Sequence, residues 1–224
     1  MSKPKVKVKI CGITNLADAR CAWEAGVRFL GFNFYPRSPR YINPKRARSI
    51  VRRLPKNVAS VGIFVNEHEA DVVRIAQLVG LKYVQLHGDE TPDSVPRLRR
   101  GLGAVKIIKA IRVQRAADVG KAARFKDVSS ILLDGFDARG RGGTGKSFDW
   151  QLAAARNKRQ RMFLAGGLTP ENVAEAIAIV RPYAIDVCSG VESSPGKKDL
   201  RKIKTLMHNV NGKERPGQKE GPRR

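Results

Sequence analysis

The run Gly140-Arg141-Gly142-Gly143-Thr144-Gly145-Lys146-Ser147 satisfies the pattern G-x-x-x-x-G-K-[ST] in full. In a nucleotide triphosphatase such a loop wraps backbone N–H groups around phosphates. Its setting argues against that chemistry. A working loop of this kind follows a strand directly and opens a helix. Here Gly135–Arg139 intervenes before it, and Phe148-Asp149-Trp150 follows before any helical run. A second set of polar and reactive groups is scattered along the chain, each group falling where a short apolar run ends. The set reads Lys9-Ile10-Cys11-Gly12, Phe34 through Arg40, Phe64-Val65-Asn66, Gln85-Leu86-His87-Gly88-Asp89, Leu133-Asp134-Gly135, Ala165-Gly166-Gly167 and Cys188-Ser189-Gly190. Cys11 taken alone reads as a small buried hydrophobe. At its ordinary pKa of about 8.5 a thiol is mostly protonated at neutral pH, so a base role needs help. Lys9, two residues earlier, faces the same side of a strand and can supply it. Asp186 on the eighth run can equally tie Lys9 up. Asp134 alone reads as a loop or cap carboxylate, and an acid role requires its proton to be kept, which apolar burial favours. His87 reads as a structural hydrogen-bonder, and Arg37 as an exposed loop arginine.

The elements that must position these groups alternate almost without a break. Short β-rich runs occur at Val6–Cys11, Arg28–Phe34, Val58–Val65, Tyr83–Leu86, Val105–Ile111, Ser130–Asp134, Met162–Ala165 and Ala184–Cys188, with amphipathic stretches between them. Asn43-Pro44, Thr91-Pro92 and Thr169-Pro170 each put a capping residue before a proline at a first helical position. Asn15 is placed to cap a helix over Leu16–Ala25, and Asp199 one over Leu200–Met207. Eight strand–helix units of roughly 25 residues give a parallel sheet, and eight is the count that closes a single (β/α)8, or TIM, barrel. Active-site residues of a barrel sit on the loops after the strands. A doubly wound open sheet is the competing architecture, and it uses fewer units.

The chain has 224 residues, 42% of them hydrophobic, enough for one barrel domain over residues 1–209. Residues 210–224 are rich in Gly, Pro and charge, and the expectation there is a basic, disordered tail. No apolar run approaches a membrane span of about 18 residues. The N-terminus lacks the apolar core of a secretory signal, so the expected compartment is cytoplasmic. Cys11, Cys21 and Cys188, with three scattered histidines, suit neither a disulfide framework nor a metal cluster. The net charge is +24. The basic residues are spread over most segments, with no aromatic-interleaved stripe of the kind that binds single strands. The charge therefore reads as a solvated exterior whose field draws in an anionic small molecule. Salt-sensitive binding to arbitrary nucleic acid would support the competing idea of a basic binding protein on a barrel scaffold.

Several of these runs, taken in order, resemble phosphoribosylanthranilate isomerase. They are Lys9 through Thr14, Ser38-Pro39-Arg40-Tyr41-Ile42, Val61 through Val65, Gln85 through Glu90, Gly142-Gly143-Thr144-Gly145 with Phe148-Asp149-Trp150, Leu164 through Leu168, and Asp186 through Glu192. Cys188 stands where that family usually has Ser, and the chain beyond Asn209 is extra. The resemblance implies a phosphate-binding barrel that opens N-(5-phosphoribosyl)anthranilate by an Amadori rearrangement, without metal or cofactor, in tryptophan biosynthesis. It implies Cys11 as general base, Asp134 as general acid, and Arg40 as the grip on the anthranilate carboxylate. The phosphate is expected at Gly166, Gly167, Ser189 and Gly190, after the last two strands, with Gly143 and Thr144 closing from the side. No membrane or specific nucleic-acid partner is expected, and the assembly is a monomer or homodimer. Another sugar-phosphate barrel enzyme is the alternative within the same fold.

Overall fold

The computed structural model describes residues 6–135, 150–154 and 160–212. Eight parallel strands close a barrel: β1 (Lys7–Ile10), β2 (Phe29–Asn33), β3 (Ala59–Phe64), β4 (Tyr83–Leu86), β5 (Lys106–Val113), β6 (Ser130–Gly135), β7 (Met162–Ala165) and β8 (Ala184–Val187). Closure is made by β1, which pairs with β2 on one side and β8 on the other. The helices are α1 (Leu16–Glu24), α2 (Pro44–Val51), α3 (Glu69–Val79), α4 (Ser94–Leu102), α5 (Ala116–Gly120), α6 (Trp150–Ala154), α7 (Val173–Val180) and α8 (Leu200–Val210). The expected strands are all present, with bounds moved by at most two residues.

Strands covered on both faces must be apolar on both, and they are. Val8, Leu30, Phe32, Val84, Ile107, Leu133 and Leu164 pack outward against the helices in one core. Phe29, Val61, Ile108, Leu132, Phe163 and Ala184 fill the lumen in another. The lower lumen is closed by rings: Phe29 meets Phe163 edge to face at 5.2 Å, and Phe163 meets Tyr183 at 5.7 Å.

Helix starts follow local side-chain chemistry, with two revisions. Asn15 accepts from the Asp18 N–H, Asn43 from Lys45, and Asp199 from Arg201 and Lys202, as the sequence predicts. The helices after Thr91-Pro92 and Thr169-Pro170 begin later, at Ser94 and Val173. Each proline sits instead in a preceding turn, closed by Ser94 N–H donating to Thr91 O (3.2 Å) and Val173 N–H to Thr169 O (3.1 Å). A short antiparallel ribbon, β9 (Glu192–Ser194) and β10 (Lys197–Lys198), follows β8 and was not foreseen. The phosphate-loop pattern, Gly143, Thr144 and residues 213–224 lie outside the described residues. Among the described residues, no helix is long and apolar enough to cross a membrane.

Candidate active site at the C-terminal mouth

Strand alternation sends every second side chain into the lumen. On β1 these are Lys9 and then Cys11; on β4, Tyr83, Gln85 and then His87; on β6, Leu132 and Asp134; on β8, Ala184, Asp186 and Cys188. The ladder continues one residue past two strand ends, with Cys11 N–H donating to Val187 O (2.9 Å) and His87 N–H to Phe64 O (2.8 Å). The row Cys11, His87, Asp134, Cys188 therefore stands on fixed backbone. Gly31 on β2 makes room for the thiol: a Cβ there would lie 2.9 Å from Cys11 Sγ and 3.0 Å from its Cα.

Beneath the thiol, Lys9 is fully buried and bonded to Asp186 Oδ2 at 2.7 Å. Both readings of Lys9 hold, because one cation serves several acids. Burial works against its charge, but Asp186 and Cys11 together outweigh that and raise its pKa. Burial pushes the Asp186 carboxyl up to about 6 against the pull of Lys9, with the Cys11 and Asp134 charges adding to the rise. The Cys188 thiol, 4.0 Å from Glu192 Oε1, can turn its one hydrogen to Cys11 instead, and such a bond, with the charges of Lys9 and Lys198, holds the Cys11 thiol well below its ordinary range despite burial. The Cys188 thiol is pushed up correspondingly, first by that bond and then by burial. Thus the thiol that resemblance marks as the base is the one of the pair that ionises first.

Across the mouth, His87 Nε2 lies 3.1 Å from Asp134 Oδ2, and His87 Nδ1 lies 2.8 Å from Gln85 Nε2. His87 is thus a hydrogen-bonder, as the sequence suggests, but its partner is the expected acid. The strand-end position of Gln85-Leu86-His87 was the available signal.

Arg40 reaches the same mouth from the loop after β2. That loop is folded by Ser38, whose Oγ accepts from Asn33 Nδ2 (3.0 Å) and Arg40 N–H (3.1 Å). The guanidinium already grips a carboxylate. Its Nε donates to Glu192 Oε1 and Oε2 at 3.0 and 3.1 Å, and Nη2 to Oε2 at 2.6 Å. Lys198 Nζ donates to Glu192 Oε1 at 2.8 Å. Burial alone would raise the Glu192 carboxyl, but Arg40 and Lys198 hold it below its usual value. The ribbon carrying both residues is pinned to the first loop by Thr14 Oγ1 donating to Gly196 O (2.6 Å) and to the first turn of α1 by Lys198 N–H donating to Asp18 Oδ2 (2.8 Å). Sequence reasoning missed Glu192 and Lys198; the Pro195-Gly196 pair between them is the turn signal that marks the ribbon.

The glycine loops after β7 and β8 are brought together. A Cβ at Gly190 would collide with Leu168 O, and one at Gly166, whose φ is +92°, with Gly135 N. Ser189–Val191 forms a single 3-10 turn after β8.

A closed parallel barrel with titratable side chains gathered at the C-terminal ends of its strands has the layout of a (β/α)8-barrel enzyme. The family model of N-(5'-phosphoribosyl)anthranilate isomerase matches residues 8–209. The N-(5'-phosphoribosyl)anthranilate isomerase of Citrifermentans bemidjiense is 50% identical over 201 residues, 90% of this chain and 95% of its own. The structure of phosphoribosyl anthranilate isomerase from Thermotoga maritima superposes with a TM-score of 0.84 at 46% identity, over 92% of this chain and 99% of the other. A phosphoribosyl anthranilate isomerase solved with reduced 1-(o-carboxyphenylamino)-1-deoxyribulose 5-phosphate superposes with a TM-score of 0.79 at 42% identity, with the same coverage. This chain belongs to the phosphoribosylanthranilate isomerase family.

Proposed function

We propose that Cys11 and Asp134 carry out, as base and acid, the isomerisation of N-(5-phosphoribosyl)anthranilate to 1-(2-carboxyphenylamino)-1-deoxyribulose 5-phosphate. This is the family's step in tryptophan biosynthesis. Asp134 gives its proton to the furanose ring oxygen as the bond from that oxygen to C1 breaks. The anthranilate nitrogen lone pair forms the iminium. The Cys11 thiolate then removes the proton from C2, and the resulting enaminol tautomerises to the ketone. Atoms are conserved, and the oxidation of C2 to the ketone is matched by the reduction of C1, so no external oxidant or reductant is needed. The observation that carries this assignment is the placement of Cys11, above the buried Lys9–Asp186 pair, in the same lumen row as Asp134.

Arg40 holds the anthranilate carboxylate. Its Nε–Nη2 edge is committed to Glu192, so the substrate takes the Nη1–Nη2 edge, and Glu192 keeps the plane of the fork fixed. The phosphate lies at Gly166, Gly167, Ser189 and Gly190, where the loops after β7 and β8 abut. The partner is thus a doubly anionic small molecule. Three free thiols agree with a reducing, cytoplasmic setting. Complementation tests the function: a tryptophan auxotroph lacking only this isomerase should grow when supplied with this chain. Absence of growth despite accumulated folded protein would contradict it.

A further inference from the structure

The carboxyl of Asp134 has two oxygens, and their surroundings differ. Oδ2 faces His87 Nε2 at 3.1 Å. The other ring nitrogen, Nδ1, faces the amide nitrogen of Gln85 at 2.8 Å. An amide nitrogen is only a donor, so Nδ1 accepts, and a neutral imidazole that accepts at Nδ1 carries its hydrogen on Nε2. Gln85 is itself buried at 1% exposure on the lumen wall, one lumen position below His87, so the ring is clamped from a rigid part of the barrel. Asp134 on β6 and Cys11 after β1 bear on the ring; Lys9 and Asp186 lie one layer down on β1 and β8; and Arg112 on β5, paired with Asp134 and on the same face as Ala110, stands between the two strands.

We propose that His87 is a positioning residue for the acid step, directing the transferable proton of Asp134 to Oδ1. Nε2–H takes up one lone pair of Oδ2 and makes that oxygen the weaker base. The proton of the neutral acid is thereby favoured on Oδ1, the oxygen left for the substrate's ring oxygen. When that proton leaves, the new carboxylate keeps a donor already aimed at it, so the bond strengthens as negative charge develops. Gln85 acts one step further out by fixing the tautomer. The inference rests on Asp134 as the acid.

The test combines kinetics with the spectroscopy of the unmodified protein. His87→Ala should lower kcat about ten- to hundredfold, the scale of one hydrogen bond to a group becoming charged, with KM changed less than about twofold. His87→Gln places an amide N–H near the same oxygen and should recover most of the loss. Gln85→Leu should lower kcat less than His87→Ala. In the wild-type protein, 15N spectra of the imidazole should show neutral His87 with its hydrogen on Nε2. A rotated Gln85 amide would put the hydrogen on Nδ1, and that spectrum would overturn the proposal. So would wild-type kcat in His87→Ala, a loss confined to KM, or a folded His87→Gln no better than Ala. Asp134→Asn separates the two readings. If Asp134→Asn is impaired and His87→Ala is not, only the His87 role fails; if Asp134→Asn turns over normally, the acid assignment fails first.

Discussion

At the N-terminal end of the lumen, Phe29, Tyr83, Phe163 and Tyr183 meet edge to face with centroids 5.2 to 5.7 Å apart. Lys7 Nζ donates to the Tyr183 hydroxyl at 2.9 Å, and the Arg161 guanidinium lies over the Tyr183 ring. At the other end of the same strands stand Cys11, His87, Asp134 and Cys188. On β4 the passage takes two steps, from Tyr83 through the buried amide of Gln85 to His87. On β1 and β8 it runs through the buried Lys9–Asp186 pair. The floor spends its lumen positions on packing. The mouth spends them on titratable groups, two of them thiols whose ionisation the surroundings shift in opposite directions. A buried ion pair is weak support for stability, because desolvation offsets the attraction. Its placement directly under Cys11 fits an electrostatic part better than a packing one.

If the ends divide in this way, substitutions at each should fail differently. The largest effect belongs to the mouth. Cys11→Ala and Asp134→Asn should each lower kcat by about a hundred- to ten-thousandfold while the melting temperature stays near that of the wild type. Near-normal turnover in both folded variants would move the chemistry elsewhere. Next comes the floor. Phe163→Ala removes a fully buried ring and should cost about 3–5 kcal/mol in denaturant unfolding, with kcat per folded molecule within about twofold. A variant that is stable but inactive would mean the floor shapes the site directly.

The smallest effect sharpens the picture of the mouth. Site-resolved alkylation of Cys11 against pH should inflect below the ordinary thiol range, because donation from Cys188 and the nearby Lys9 and Lys198 charges favour the thiolate. Losing the donor disfavours the thiolate, so Cys188→Ala should move the inflection up. Cys188→Ser, which keeps a hydroxyl donor, should leave it low. An unchanged inflection in Cys188→Ala would remove that bond from the account.

The barrel was legible in the sequence because each strand is a short run apolar on both faces, bracketed by caps such as Asn15, Asn43 and Asp199. These signals are local. That Cys11, Asp134 and Arg40 gather at one mouth was legible from their positions at or just after strand ends; their roles come from the resemblance and are the proposal made above. What stayed hidden depends on long-range geometry. Nothing near Arg40 in sequence indicates that Glu192, 152 residues away, occupies one edge of its fork. Nothing local to His87 points to Asp134, 47 residues on. The late starts of α4 and α7 were missed because a Thr-Pro step serves a preceding turn as well as a first helical turn.

The most direct test of the acid–base row is a crystal structure of this chain with a reduced product analogue, carrying both the anthranilate carboxylate and the phosphate. The account predicts the analogue across the C-terminal mouth, with its carboxylate on the Nη1–Nη2 edge of Arg40 and its phosphate between Gly166-Gly167 and Ser189-Gly190. Its C2 should lie within about 3–3.5 Å of Cys11 Sγ, the separation of groups poised to react. An analogue bound at the N-terminal face, or with C2 beyond reach of Cys11, would contradict it.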